Sequence, residues 1–331
     1  MACTIYKPDP ASLSYLASVL STGGLVALPT ETVYGLAGNA LDKQALRSIF
    51  EVKGRPLIDP LIVHVLGVVE AQQLAHWGPM ADRLAQAFWP GPLTLVLPKK
   101  PCVPDLATAG QPSVALRAPA HPLFREILAL AQVPLAAPSA NPFGYISPSC
   151  AEHVVTSLGN RLEHVLDGGP CDWGLESTIV SLLDPEKPVI LRHGPIPPEA
   201  IAEALGCELH LKDTATASDK EAQIAPGMLS RHYSPHCHTY LVKNQENTPQ
   251  GARPAARVCL ARPLEIPDEA GVQYFWLSES GDLQEAAREL YQLLRKLDQP
   301  PWKAIYLELA PETGIGHALN DRIRRAASCS P

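Results

Sequence analysis

The sequence predicts an α/β protein with a large first domain and a smaller second domain. Short apolar runs of strand length alternate with amphipathic helical patterns along most of the chain. A small, charged and polar stretch that begins at Lys212, KDTATASDKEAQ, interrupts this alternation and is typical of a linker. We therefore place the first domain at residues 9–208, a linker or lid at 209–238, and the second domain at 239–331.

The first domain is predicted to mix strands and helices. Its first helix is capped by Asp9 and ends at Gly23, and a second helix follows Asp42. Further helices are predicted at Val68–Ala75, Met80–Phe88, His121–Ala131 and Pro197–Leu205. Strands are predicted at Leu25–Leu28, Leu61–Val65, Leu93–Leu97, Ser113–Arg117, Thr178–Leu183 and Val189–Arg192.

The second domain repeats the alternation on a smaller scale, which implies a small parallel sheet. Its predicted strands are Tyr240–Val242, Val258–Ala261, Tyr274–Leu277 and Ile305–Leu309. Its predicted helices are Asp282–Leu297 and His317–Ala327.

Composition excludes several classes of protein. Hydrophobic residues make up 46% and charged residues 18%, which is typical of a globular chain. The net charge of −7 argues against a broad nucleic-acid-binding face. Arg322, Arg324 and Arg325 form a local basic patch, which we interpret as a solvated helix face.

The same data predict a cytoplasmic protein with no membrane span. Eight cysteines without a CxxC pair are typical of reduced thiols, and the N-terminus lacks the regions of a signal peptide. The uncharged stretch Ile127–Ala151 contains four prolines, so we do not expect it to span a bilayer.

The segment Gly23–Asn39, GGLVALPTETVYGLAGN, organises the chain. An apolar run of strand length is followed by Thr30 and Glu31, and then by Gly35 and Gly38, which tolerate backbone angles that other residues avoid. A buried strand that ends in hydroxyls, a carboxylate and glycines is where an α/β protein places its ligand. The alternative is a polar loop that only joins a strand to a helix.

Several cations and polar side chains lie at the ends of predicted elements: Thr30, Lys53, Arg55, Arg117, Ser139, Asn141 and Arg192. If the fold brings them together, they form a cationic pocket edged with hydroxyl and amide donors. Such a pocket suits polyphosphates and carboxylates, because arginine grips either group in a bidentate way. Taken singly, each cation is also explained as a helix-end or surface charge.

Two further groups leave alternatives open. Glu176 precedes a predicted strand and could order the pocket, hold a metal or face solvent. The cluster His232, His236, Cys237 and His238 suggests zinc, but its spacing matches none of the usual structural-zinc frameworks. We therefore predict no metal site built by the protein itself.

Nine segments stand in the order seen in the L-threonylcarbamoyladenylate synthases: LPTETVYGLAGNA, KGRP, PLIVHV, WPGPLTLVL, VALRAPAHP, APSANPFG, LDGG, ESTIV and LRHGPI. From about Asp9 to Leu205 the chain resembles the YrdC-like catalytic domain of that family. APGMLSRHYSP and GIGHALNDRIRRAAS resemble the linker and C-terminal domain of its longer, two-domain branch. The resemblance implies a twisted mixed α/β sheet with an open catalytic cavity, followed by a smaller Rossmann-like domain.

The resemblance also implies an activity. The family joins L-threonine, bicarbonate and ATP into threonylcarbamoyl-AMP and releases pyrophosphate, and Mg²⁺ accompanies the ATP. The product serves a threonylcarbamoyltransferase complex that modifies adenosine 37 of tRNAs reading ANN codons, so tRNA or that complex is an expected partner. No covalent nucleophile is needed, since a carbamate formed on the threonine amine can attack the α-phosphorus.

Site residues are implied motif by motif. Lys53 and Arg55 match the family's KxR, and Ser139 and Asn141 match its SxN; the first pair is expected to be catalytic and all four to bind ATP. Further ATP contacts are implied for Leu57, Ser113, Ser147, Arg192, His232 and Tyr233. A threonine pocket is implied for Thr30, His64, Arg117, Ala137 and Ser177. The segment Ala225–Pro235 is interpreted as a lid over the cavity.

Two positions depart from the commonest family wording. Asp59 stands where asparagine is frequent, and Tyr145 stands where a small or basic residue is usual, so both could alter nucleotide affinity. Two other functions were weighed: a carbamoyl-adenylating enzyme of the hydrogenase-maturation type and a non-catalytic RNA-binding module. The zinc-finger and acylphosphatase modules of the former are not visible, and the acidic balance weighs against the latter.

Overall fold

The computed structural model describes residues 3–184, 186–211, 222–227, 233–243 and 248–327. In these ranges the chain forms an eleven-stranded mixed sheet and a separate four-stranded sheet whose strand pairs are all parallel. This confirms the predicted α/β class with a large mixed sheet and a small parallel one. Residues 212–221 and 228–232 of the predicted linker lie outside the described residues.

The large sheet has the strand order β1-β8-β2-β3-β7-β4-β6-β5-β9-β10-β11. Its strands are β1 (Thr4–Tyr6), β2 (Val26–Leu28), β3 (Gly35–Asn39), β4 (Ile62–His64), β5 (Leu93–Pro98), β6 (Ser113–Arg117), β7 (Leu135–Ala136), β8 (His164–Leu166), β9 (Thr178–Ser181), β10 (Val189–Arg192) and β11 (His210–Leu211). The helices around it are α1 (Pro10–Ser21), α2 (Lys43–Lys53), α3 (Val68–Leu74), α4 (Pro79–Phe88), α5 (Pro122–Ala131), α6 (Ala151–Leu158) and α7 (Pro198–Leu205), with a 3₁₀ turn at Asp105–Thr108.

The small sheet has the order β12-β15-β13-β14. Its strands are β12 (His238–Val242), β13 (Ala255–Ala261), β14 (Val272–Ser278) and β15 (Ala304–Glu308), and its helices are α8 (Leu283–Leu297) and α9 (Gly316–Ala327). Every strand and helix predicted for this region is present, with ends shifted by up to three residues.

Local sequence signals account for the helix ends. The Asp9 carboxylate accepts hydrogen bonds from the backbone N–H groups of Ala11 and Ser12, which would otherwise lack partners in the first turn of α1. Helix α2 ends at Gly54, whose φ of 61° is a left-handed conformation that glycine adopts without strain. The next chain segment therefore turns sharply toward the sheet.

The glycines after β2 serve close packing and not unusual backbone angles. Gly35 and Gly38 lie in β3, which pairs antiparallel with β2, where the sequence predicted an irregular segment. A Cβ atom on Gly38 would stand 2.8 Å from Leu25 Cδ2 and 3.2 Å from Ile49 Cδ1. A side chain there would push helix α2 away from the sheet, so glycine is required by approach distance.

The second domain packs against the first beside the predicted pocket. One buried apolar cluster contains Val33, Ile146 and Leu175 of the first domain together with residues of α8 and α9. The same cluster includes Tyr233, the first described residue after the gap in the linker. The two domains therefore share a core at this boundary.

The basic patch on α9 differs from its prediction as a solvated face. Arg322 is fully buried, whereas the side chain of Arg324 is half-exposed and pairs with Glu312. The patch is thus split, and its most buried member faces the first domain. Among the described residues, no helix is long and apolar enough to cross a membrane.

Candidate active site

Five strands of the large sheet deliver polar side chains to one cavity. Thr30 follows β2, and His64 and Arg117 lie side by side at the ends of the parallel strands β4 and β6. Ser177 precedes β9, and Arg192 ends the neighbouring β10. In this conformation the cavity itself holds about 40 Å³, and about 510 Å³ when the open space at its mouth is included.

The structure brings most of the predicted site residues together. Nine of them line the cavity: Thr30, Arg55, His64, Arg117, Ala137, Ser139, Ser177, Arg192 and Tyr233. Five do not line it: Lys53, Leu57, Ser113, Asn141 and Ser147. The Leu57 side chain points outward and is 59% exposed, and His232 lies outside the described residues. The binding roles of all these residues remain predictions.

One wall of the cavity is built from fixed hydroxyl groups. Thr30 Oγ1 accepts the backbone N–H groups of Thr32 and Val33 at 3.0 and 3.1 Å and lies 2.7 Å from the Val33 carbonyl oxygen. These bonds hold the turn after β2 in a single shape. Ser177 Oγ lies 2.8 Å from Thr94 Oγ1. A ligand on this side meets hydroxyls whose positions are already set.

Arg117 is held at the cavity by the carboxylate of Glu31, a pairing that the sequence pattern did not predict. Its Nη2 lies 2.7 Å from Glu31 Oε1, and both side chains are nearly completely buried. Burial by itself raises the pKa of Glu31, but the adjacent Arg117 guanidinium outweighs this and holds the pKa below its usual value. Glu31 is therefore ionised and fixes the plane of the guanidinium. Its position beside Thr30 was the only signal for this role.

His64 is neutral at physiological pH. It is buried beside Arg117 in β6, and its ring centroid lies 5.1 Å from that of Phe124. Burial first, and the Arg117 charge second, lower the pKa of His64 to about 3. The imidazole therefore adds no charge to this wall of the cavity.

This pKa predicts a loss of stability in mild acid. The unfolded-state pKa of histidine is about 6.5. Below that pH, His64 is protonated in the unfolded chain but stays neutral in the folded protein, so protonation favours unfolding. Between pH 7.5 and 5.0 this residue should lower the free energy of unfolding by about 2 kcal/mol. Urea unfolding at both pH values gives the loss of unfolding free energy for the wild type and for His64→Gln. The difference between these two losses reports on His64, because the other histidines contribute equally to both proteins. Equal losses in the two proteins would contradict the assignment.

A second wall of the cavity is cationic and also fixed. Arg55 Nη2 lies 2.9 Å from Asp59 Oδ2, and the same guanidinium donates to the carbonyl oxygens of Asp59 and Pro60 at 3.0 and 2.7 Å. Both side chains are almost fully buried. Asp59, which departs from the commonest family wording, thus supplies a counter-charge that orients Arg55.

Lys53 supports the loop that follows β7. Its Nζ donates to the carbonyl oxygens of Ser139 and Asn141 at 2.5 and 2.6 Å. Burial, followed by the charge of Arg55, lowers the pKa of Lys53 well below its usual value. In this conformation Lys53 therefore acts on the cavity through Ser139, which lines it, and not by direct contact.

The described part of the predicted lid lies against the cavity. Gly227 has a φ of 77°, and a Cβ atom there would stand 2.9 Å from the Tyr233 hydroxyl and 3.2 Å from Arg192 Nη1. Pro226, Gly227 and Tyr233 all line the cavity. The left-handed φ of Gly227 turns the chain at this point, within the segment that the sequence predicted to be a lid.

The histidines after the lid serve contacts between the domains. His236 Nδ1 lies 2.9 Å from Asp298 Oδ2, and the backbone N–H of Cys237 donates to Asp298 Oδ1. The Tyr145 hydroxyl donates to the same carboxylate at 2.8 Å. Over the described ranges, no group of three or more histidine, cysteine or acidic side chains could hold a metal ion.

Comparison with known proteins identifies the class and then the family. Residues 18–194 match the Sua5_yciO_yrdC family model, described as "Telomere recombination", and residues 196–328 match the model described as "Threonylcarbamoyl-AMP synthase, C-terminal domain". The crystal structure of YciO from E. coli has the same fold, with a TM-score of 0.53 and 21% identity over 58% of this chain and 96% of that one. The first domain is thus a YrdC-like α/β domain.

Relatives that match nearly the whole chain identify the family within this class. The chain is 38% identical to threonylcarbamoyl-AMP synthase of Pyrococcus abyssi, over 94% of this chain and 92% of that protein, and 38% identical to that of Bacillus subtilis, over 96% and 93%. The crystal structure of P. abyssi Sua5 complexed with L-threonine gives a TM-score of 0.86 at 35% identity, over 99% and 98% of the two chains. The chain belongs to the threonylcarbamoyl-AMP synthase family of nucleotidyltransferases. The resemblance seen in the sequence motifs, including the two-domain form, is confirmed.

Proposed function

We propose that the cavity binds L-threonine on its hydroxyl wall and ATP on its cationic wall, and joins them through bicarbonate into threonylcarbamoyl-AMP. The observation that carries this proposal is the convergence of Arg117 and Arg192 on one cavity. Two guanidinium groups separated by hydroxyls suit a carboxylate and a polyphosphate bound side by side.

The threonine end is assigned to Arg117. Within the described residues its Nε and Nη2 donate to Gly91 O and Glu31, whereas Nη1 has no partner and can take the substrate carboxylate. Thr30 and Ser177 are placed to orient the amine or side-chain hydroxyl of threonine. The complex of the P. abyssi relative with L-threonine supports this ligand.

The triphosphate end is assigned to Arg55 and Arg192. Arg192 donates to Ser177 O, Ser177 Oγ and Pro226 O, which are all neutral acceptors, so its charge is not consumed by them. Hydrogen bonds of Lys53 and Asn141 fix the loop that contains Ser139, which lines the same cavity as Arg192. Mg²⁺ is expected to enter with the triphosphate and to offset charge on the departing pyrophosphate. Glu176, a carboxylate that lines the cavity, and Glu31, which holds Arg117, are already paired with arginines.

The reaction needs positioning and charge stabilisation. The threonine amine takes up bicarbonate with loss of water, which gives a carbamate; one carbamate oxygen attacks the α-phosphorus, and the bond to the β-phosphate oxygen breaks as pyrophosphate leaves. Arg55 and Arg192 stabilise the charge that develops on the phosphates. The product is proposed to pass, in the cytoplasm, to the threonylcarbamoyltransferase complex that modifies tRNA.

One assay tests the proposed function. Purified protein with MgATP should release pyrophosphate only when both L-threonine and bicarbonate are present. Release that requires carbamoyl phosphate instead would favour the hydrogenase-maturation chemistry. Absence of release under every condition, with RNA retained on a filter, would favour a non-catalytic RNA-binding module.

The pocket should distinguish threonine from serine. Ala137 lines the cavity, and its methyl group can pack against the threonine methyl. Losing one buried methyl costs about 1 kcal/mol, so kcat/KM for serine should fall about fivefold. The KM for ATP at saturating amino acid should stay unchanged, as an internal control. Equal kcat/KM values would show that the pocket does not enclose the methyl group.

A further inference from the structure

Glu176 is a carboxylate of the first domain whose partners come largely from the second. It lines the cavity and is 6% exposed. Its Oε2 accepts from Arg322 Nε of α9 at 2.9 Å and from the Tyr291 hydroxyl of α8 at 3.0 Å. Its Oε1 accepts from Ser147 Oγ at 2.5 Å. The negative charge at the cavity wall is therefore compensated from the other domain.

Arg322 is enclosed between the domains. None of its side chain is exposed, and its Nη2 donates to the His193 carbonyl oxygen at 3.0 Å. Its guanidinium carbon lies 4.8 Å from the ring centroid of Tyr233, which in turn stacks on Tyr291. Burying an ion pair this deeply costs desolvation free energy, so a contribution to stability does not by itself account for the Glu176–Arg322 pair.

A second arginine, Arg192, lines the cavity together with Glu176. It bonds to Ser177, the residue that follows Glu176 in the chain, and the charges of Glu176 and Arg192 act on each other electrostatically. Across the described ranges, however, no carboxylate oxygen lies within 4 Å of the Arg192 guanidinium. Without Arg322, Glu176 would be a buried anion with Arg192 as its nearest uncommitted cation.

We propose that Arg322 of the second domain neutralises Glu176 and thereby keeps Arg192 available for the triphosphate of ATP. The second domain is then a working part of the nucleotide site, and Arg322 is a positioning residue, since it acts through Glu176 and Arg192. This inference rests on the proposed function, because it takes ATP as the anion that Arg192 receives.

Three full-length variants test the inference: Arg322→Met, Glu176→Gln and the double variant. Calorimetric titration with a non-hydrolysable ATP analogue and Mg²⁺ measures affinity without turnover, and a parallel titration measures L-threonine. Arg322→Met should lower the affinity for the ATP analogue at least tenfold and change the affinity for threonine less than threefold. The double variant should recover to within threefold of Glu176→Gln, since glutamine has no charge with which to hold Arg192.

The rescue separates electrostatics from a structural role. If Arg322 only braced the domains, the double variant would bind the analogue no better than Arg322→Met, and the inference would be overturned. Arg322→Lys, which keeps the charge, should bind more tightly than Arg322→Met. Arg324→Met is the matched control, because it removes an α9 cation that pairs only with exposed Glu312 in the described chain, and it should bind like the wild type.

Three further outcomes are decisive. If Arg322→Met does not fold, the double variant carries the test, because it removes both charges of the Glu176–Arg322 pair and leaves Asp321, the other carboxylate that pairs with Arg322, still paired with Arg325. A folded double variant that fails to bind the analogue contradicts the inference. If the wild type itself binds no analogue, the proposed function fails. If the wild type and Arg322→Met bind it equally, only this inference fails.

Discussion

Arg117→Met should nearly abolish the use of threonine and also destabilise the chain. The substitution removes the proposed carboxylate clamp and leaves Glu31 as a buried, uncompensated anion. Breaking a buried pair by removing one partner costs about 3–5 kcal/mol of stability. Loss of a charge-assisted contact to the substrate costs about 1.5–3 kcal/mol, which is roughly a tenfold to over a hundredfold rise in the threonine KM. Pyrophosphate-release kinetics and urea unfolding measure the two effects separately.

The double variant Glu31→Gln/Arg117→Met is the control for folding. It removes both charges, so most of the lost stability should return, whereas the threonine KM should stay high because the clamp is still missing. A double variant with a threonine KM near that of the wild type would show that Arg117 only serves to hold Glu31. The ATP-analogue affinity should be nearly unchanged in the double variant, since Arg55 and Arg192 are intact.

Lys53→Met should weaken ATP binding at least tenfold although Lys53 does not line the cavity. The substitution keeps the length of the side chain but removes the Lys53 donor from the buried Asn141 carbonyl oxygen, at about 1–3 kcal/mol, and leaves the Ser139 carbonyl oxygen with only the Asn141 N–H. The loop that presents Ser139 to the cavity is then no longer held in place. Calorimetry with the ATP analogue gives the affinity, and urea unfolding gives the stability.

Lys7→Met is the matched control for Lys53→Met. Lys7 also makes one strong contact, to Asp167 at 2.7 Å, but its side chain is 76% exposed. Exposed ion pairs contribute about 0–1 kcal/mol, so this variant should bind ATP normally and lose little stability. If Lys53→Met binds the analogue as tightly as Lys7→Met does, the loop does not depend on Lys53.

The sequence pattern pointed to several cavity residues because they stand next to strands, and the parallel pair β4 and β6 brings His64 and Arg117 to one edge of the mixed sheet. Arg117 and Arg192 close strands that were predicted with the correct bounds. Strands β1, β7, β8 and β11 have only two or three residues, too few to show a period of two, and none of them was predicted as a strand. Helix α6 was missed for another reason, since it follows a proline-rich loop that masks its beginning.

The error on Arg322 has a physical cause. It stands among polar neighbours in DRIRR, a pattern that is typical of a solvated helix face. Its partner in the buried ion pair is Glu176, which lies 146 residues earlier in the chain, and a local sequence pattern cannot reveal a contact over that separation. The role of Glu31 was missed for the same reason, because its partner Arg117 lies 86 residues away.

The pairing of Glu176 with Arg322 has a consequence for protein synthesis. A ribosome adds about 5–20 residues per second, so the carboxylate emerges roughly 7–30 s before its arginine, which is 146 residues later. During that interval the nascent first domain can assemble its sheet while the carboxylate at its cavity still lacks its arginine partner. On the proposed role of Arg322, a prematurely ended product that lacks α9 should bind ATP more weakly than the full chain does.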